Sequence, residues 1–132
     1  MKHKELTAKI IECAYKVHNT LGFGFLESVY QNALLIELEK NGFQAKKEVP
    51  IKVFYEGKIV GDFVADIIVE DNVILELKSV KEIHPAHEAQ LTNYLKATAI
   101  EVGLLINFAE SVQVKRRVFT AARGGIVRSG DS

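Results

Sequence analysis

The spacing of apolar residues divides the chain into helical and extended stretches. Leu6, Ile10, Ala14, Val17 and Leu21 recur every three or four positions, so residues 4–20 present one apolar helical face. Gly22 and Gly24 in "GFGF" break that period. It resumes from about Leu26 to Lys40, with Val29, Ala33, Leu34 and Leu38 inward, and Asn41-Gly42 closes it. From Gln44 the period shortens to two. "EVPIKVFY" (48–55), "KIVGDFVADIIV" (58–69) and "VILELKSV" (73–80) read as three strands joined by tight turns at "EGK" and "EDN". Pro50 lacks an N–H for a ladder, which places the first strand at a sheet edge. "HPAHEAQLTNYLKAT" (84–98) reads as a helix, with Pro85 in its first turn and Leu91, Tyr94, Leu95 and Thr98 along one side. "VGLLINF" (102–108) is a short, continuously apolar strand, and "VQVKRRVF" (112–119) a last one. A strand, a helix and a further strand predict a right-handed parallel crossover. The order ααβββαββ is that of an α/β sheet with helices on its faces.

Composition narrows the class. A chain of 132 residues, 48% of them hydrophobic, predicts one domain over residues 1–120, and "AARGGIVRSGDS" (121–132) reads as a loose tail. The 17 basic and 17 acidic residues cancel, which excludes a uniformly basic nucleic-acid coat but leaves room for local patches. Two such groups stand out: Lys46, Lys47 and Lys52 on the first strand, and Lys115, Arg116, Arg117, Arg123 and Arg128 towards the C-terminus. The single cysteine, Cys13, forms no internal disulfide or multi-cysteine metal site, and it suits a reducing compartment as a small core residue. No apolar run approaches the roughly 18 residues that span a bilayer, and "MKHKELTAK" lacks the apolar core of a signal peptide. A cytoplasmic protein without membrane segments is expected.

The candidate chemistry lies on the third strand. In "NVILELKSV" (72–80), Glu76 and Lys78 share a strand face with Ile74, among Val73, Leu75, Leu77 and Val80. Asp66, on a face with Val64 and Ile68, meets Glu76 only in one hairpin register. A two-residue loop at Asp71-Asn72 pairs Glu70 with Val73 and sends Asp66 and Glu76 to opposite faces. A three-residue loop pairs Val69 with Val73 and sets Asp66 opposite Glu76. The second is expected, because Asn72 tolerates the left-handed third position that such a loop needs. Two carboxylates about 5 Å apart at Cβ repel one another and stay ionised together only beside a positive charge. Lys78 is one source of that charge, and a divalent cation with oxygen ligands is the other. A solvated cross-strand ion pair is the plain alternative.

Asp66 followed by Glu76-Leu77-Lys78 resembles the motif of the PD-(D/E)XK nuclease superfamily. Glu27 in "GFLESVY" matches the acid that many members place on a preceding helix. Gln90 and Tyr94, in "QLTNY", match the Gln-xxx-Tyr of its RecB-like branch. Gly24-Phe25-Leu26-Glu27-Ser28-Val29-Tyr30 resembles the signature of the GxxExxY family within that superfamily. The residue before Asp66 is Ala65, where the motif's name has proline. The resemblance implies a restriction-endonuclease-like core, a mixed sheet flanked by helices. It implies that Asp66, Glu76 and Glu27 bind Mg²⁺ or Mn²⁺, that Lys78 acts as catalytic base or transition-state stabiliser, and that Gln90 and Tyr94 contact substrate or order the centre. The implied activity is phosphodiester hydrolysis in DNA. Lys115, Arg116 and Arg117 are candidate phosphate contacts, and a homodimer or a larger protein partner would extend a small footprint. A non-catalytic module that binds nucleic acid or protein on the same fold is the alternative.

Other motifs carry less. "GFGF" lacks a preceding strand and the third glycine of a dinucleotide loop, and serves instead to turn the chain and carry Glu27 towards the sheet. His84 and His87 suit capping or surface roles, with a phosphate contact open. His18 suits the end of the first helix as a dipole partner. Tyr30 is expected in the core.

Overall fold

The computed structural model describes residues 3–120. The tail at 121–132, with Arg123 and Arg128, lies outside them. Eight elements follow the expected order: helices α1 (Lys4–Leu21) and α2 (Glu27–Lys40), strands β1 (Ala45–Tyr55), β2 (Lys58–Val69) and β3 (Val73–Lys78), helix α3 (Pro85–Ala97), and strands β4 (Val102–Phe108) and β5 (Val112–Val118). The strands form a five-stranded mixed sheet in sequence order. Only β3 and β4 run parallel, through the α3 crossover, and β1 with its Pro50 is an edge.

The sheet separates two apolar layers. On one side α1 and α2 press Ile10, Val17, Tyr30, Leu34 and Leu38 onto Ile67, Leu75, Leu77, Leu104 and Ile106. On the other, Leu91, Tyr94 and Leu95 of α3 cover Ile51, Ile68, Ile74 and Leu105. β3 and β4 feed both layers, which explains why their sequences are apolar at nearly every position. Cys13 is buried in the first layer, as expected. The inward face of α2 differs from the expected one: Tyr30 and Gln31 are buried beside Leu34 and Leu38, whereas Val29 and Ala33 are only half-buried.

The β2–β3 turn decides the position of the acids. Val69 pairs with Val73, the register of the three-residue loop, and Asn72 donates its N–H to the Val69 carbonyl at 2.9 Å. The left-handed residues, however, are Glu70 (φ 54°) and Asp71 (φ 55°), not Asn72 as expected. Bonds to Gln44 from both the N–H and the carboxylate of Glu70 hold its backbone in that conformation. A second departure lies at Asp66. Ala65 and Ile68 both pack under α3, Ile67 faces the opposite layer, and Val64 is exposed. The strict alternation that groups Val64, Asp66 and Ile68 is therefore broken. At the same level of β1, Glu48 is left-handed with φ 55°. Such local irregularities re-aim a side chain at the expense of regular pairing.

Gly103 sets the depth at which α3 docks. A Cβ built there would stand 2.7 Å from Leu91 Cδ1 and 3.0 Å from its Cγ, and Leu91 is fully buried. Gly103→Ala is expected to destabilise the fold by about 1–3 kcal/mol through overpacking, measured as a lower urea midpoint at unchanged m.

Candidate active site

The β2–β3 ladder ends at the pair Ile67↔Leu75. Beyond it the strands are joined through side chains. The Asp66 N–H donates to Glu76 Oε1 at 3.2 Å, and the Leu77 N–H donates to Asp66 Oδ2 at 2.7 Å. Each carboxylate thus replaces a ladder acceptor on the other strand, which satisfies two buried donors. Oδ1 of Asp66 and Oε2 of Glu76 take no part in these bonds.

This geometry has an electrostatic consequence. Glu76 is only 6% exposed. Burial, and secondarily the neighbouring Asp66, push its carboxyl up to about 8; the Asp66 N–H and Lys78 oppose the rise. The Asp66 carboxyl is also raised, first by burial, against the Leu77 N–H that holds it down. Without a cation the pair therefore keeps a proton near neutral pH.

The other sequence-predicted residues fall around this pair to different extents. Lys78, half-buried at the end of β3, lowers the proton affinity of both acids. Tyr94, 5% exposed and next to Phe63, accepts a hydrogen bond from Gln90 Nε2 at 2.8 Å and has its hydroxyl pushed up by burial and then by Glu76. Glu27, exposed in the first turn of α2, acts on both strand acids through its charge. Among the described residues, however, no three His, Cys, Asp or Glu side chains lie close enough to form a metal-ligand group. Glu27 is at the rim and does not close a cluster with Asp66 and Glu76. A groove of about 810 Å³ begins at Glu27 and Phe25 and continues past Ser79, Lys81, Phe108 and Gln113.

The basic groups do not gather here. Arg117 pairs with Glu88 of α3, Arg116 donates to Thr7 Oγ1 of α1 at 3.4 Å, and Lys115 is exposed on β5 opposite Leu105. Because β5 alternates, successive members of this run point to opposite faces. On the first hairpin Lys46 meets Asp71 at 3.4 Å, Lys47 meets Asn32 at 3.3 Å and Lys52 meets Asp62 at 2.8 Å.

His84 and His87 form a capping box at the start of α3: His84 Nδ1 accepts from the Ala86 N–H at 3.0 Å, and His87 Nδ1 accepts from the His84 N–H at 3.1 Å. Desolvation, then the charge of Lys78, hold the His87 imidazole below its usual value, which puts His87 within reach of the charge at the end of β3. His18 Nε2 bonds the Ala109 carbonyl at 2.8 Å, tying α1 to the β4–β5 turn.

Sequence reasoning passed over Gln31. Its Nε2 donates to the Asp66 carbonyl at 3.0 Å. The available signal was a polar residue inside the apolar stripe of α2, one helical turn after Glu27.

A family model described as the PD-(D/E)XK nuclease superfamily matches residues 4–118. Among solved structures, the crystal structure of SSO0001 superposes with a TM-score of 0.54 at 20% identity over 70% of this chain, which spans 50% of that one. At that identity the likeness concerns the fold. No curated protein matches the sequence.

The raised Glu76 carboxyl fixes the sign of a pH effect. A carboxyl that ionises later folded than unfolded stabilises the protein below its unfolded value and loses that contribution as pH rises through the folded value. For Glu76 the window runs from the ordinary 4.5 to about 8. The metal-free protein is therefore expected to lose stability across that window. Glu76→Gln should flatten the loss, as read by denaturant midpoints across the pH range.

Proposed function

This chain belongs to the PD-(D/E)XK nuclease superfamily, and from that premise we propose that it is a metal-dependent nuclease that hydrolyses phosphodiester bonds in DNA. Within the superfamily we place it in the GxxExxY family, near the RecB-like branch, on Gly24, Glu27, Tyr30, Gln90 and Tyr94. The observation that carries the reading is the crossed pair Asp66–Glu76, with Lys78 next along the same strand face.

The two acids fit a hard divalent cation. They offer only oxygen donors, and each keeps one oxygen clear of its backbone bond. Mg²⁺ needs only one or two carboxylates and retains several waters, so two acids suffice. Glu27, across the mouth, would join through a water. Such a cation supplies a polarised water and neutralises phosphate charge. The chain's own residues do the remainder. Asp66 and Glu76 give up the proton that burial holds on the pair. Lys78 presents an ammonium, which donates to a phosphate oxygen and stabilises charge developing there. Tyr94, fixed by Gln90, borders the acids from α3, where the two side chains would contact substrate or order the centre.

The test is a panel of linear, circular, single-stranded and branched DNA, with RNA, in Mg²⁺ or Mn²⁺. Wild type is expected to cleave at least one DNA form and to stop when the metal is chelated. Lys78→Ala and Glu76→Ala should slow cleavage about 100-fold or more, with cooperative unfolding kept. Cleavage that persists in either variant would overturn the assignment. Binding without cleavage, insensitive to Mg²⁺, would identify a nucleic-acid-binding module instead.

A further inference from the structure

We infer that Gln31 is a positioning residue for Asp66, and that helix α2 thereby sets the placement of Glu27 relative to the strand acids. The catalytic consequence rests on the nuclease reading above; the positioning itself does not.

A backbone carbonyl in the middle of a sheet normally has a ladder partner. The β2–β3 ladder stops at Ile67↔Leu75, and the β1–β2 pairs pass from Lys47↔Ile67 to Val49↔Ala65 without joining Asp66 to the left-handed Glu48. The Asp66 carbonyl instead accepts from Gln31 Nε2 at 3.0 Å. Gln31 is 8% exposed, within an apolar layer where an unpartnered amide is costly. Asp66 is thus tied at three points: its N–H to Glu76, its carboxylate to the Leu77 N–H, and its carbonyl to Gln31. The first two run through carboxylates whose charge changes with pH and with any bound cation. The Gln31 amide does not titrate, so it is the constant tether.

The preceding residue fixes the other end. Tyr30, fully buried and stacked on Phe108 at 4.5 Å, donates its hydroxyl to the Gly22 carbonyl at 2.6 Å and accepts the Phe25 N–H at 3.3 Å. Ser79 Oγ, just past Lys78, donates to the Phe25 carbonyl at 2.8 Å. One turn of α2 therefore bonds both the loop that leads into Glu27 and the peptide that carries Asp66. Glu27 and Gln31 stand four apart on one helical face, so the helix acts as a spacer of fixed length between the acids.

The test replaces the donor without changing volume. In Gln31→Met, amide hydrogen exchange followed by NMR is expected to show the Leu77 N–H about tenfold less protected, the scale of one hydrogen bond. The amides of Val73 and Leu75, in the intact ladder, should stay within about twofold of wild type. Mn²⁺ titration should show about tenfold weaker binding than wild type. Gln31→Leu, a second replacement that removes the donor, should lower Leu77 protection by a similar factor. Unchanged Leu77 protection in both variants, or an equal loss at Val73, Leu75 and Leu77, would overturn the inference. A wild-type protein that binds no Mn²⁺ would defeat the metal reading of the site, and the exchange data would still decide the role of Gln31.

Discussion

A buried carboxylate beside a second carboxylate is the constraint around which this sheet is arranged. Glu76 sits in β3 between Leu75 and Leu77, both fully buried. Charge there is unfavourable, and two like charges are worse. The chain meets the problem by ending the β2–β3 ladder and letting each acid accept an N–H from the other strand. These bonds hold the side chains in place, but they do not compensate the charge. The residual cost is expressed as a proton kept by the pair.

The remaining structure holds this arrangement still. On one face the α1–α2 layer is stiffened by the Tyr30–Phe108 stack, with ring planes 5° apart. On the other, Gly103 lets Leu91 approach the sheet, and Tyr94 of the same helix feels the charges of both acids. The parallel β3–β4 pair adds a fixed floor. Asn107, buried on β4 opposite Lys78, bonds both the N–H and the carbonyl of Val80 at 2.9 Å and so fixes the chain just beyond Lys78. Two helices on opposite faces thus reach a gap that the sheet alone leaves open.

Much of this was legible in the residues. β2 and β4 begin and end where the sequence predicted, because their apolar runs stop at turn formers. The Val69↔Val73 register was also predicted, although for an incomplete reason: the loop places Glu70 and Asp71, rather than Asn72, in the left-handed region, with both tied by contacts remote in sequence. Strand periodicity did not carry through Asp66, which faces the left-handed Glu48 of another strand where the pairing is interrupted. The Arg116–Arg117 run read as a surface patch, but the partners that hold it, Thr7 and Glu88, come from different helices. The likeness of Glu27 to a motif acid located it near the pair, not within it. The bond from Gln31 to Asp66 showed itself only as a polar residue within the apolar stripe of α2, with nothing to name its partner on another element.

The central claim is that Asp66 and Glu76 share a divalent cation in place of the proton that burial imposes. The most direct measurement is a calorimetric titration of the wild-type protein with Mn²⁺ near neutral pH in two buffers of different ionisation enthalpy. The expected result is binding whose heat differs between the buffers, corresponding to release of roughly one proton per cation. Absence of binding, or equal heats in the two buffers, would contradict it.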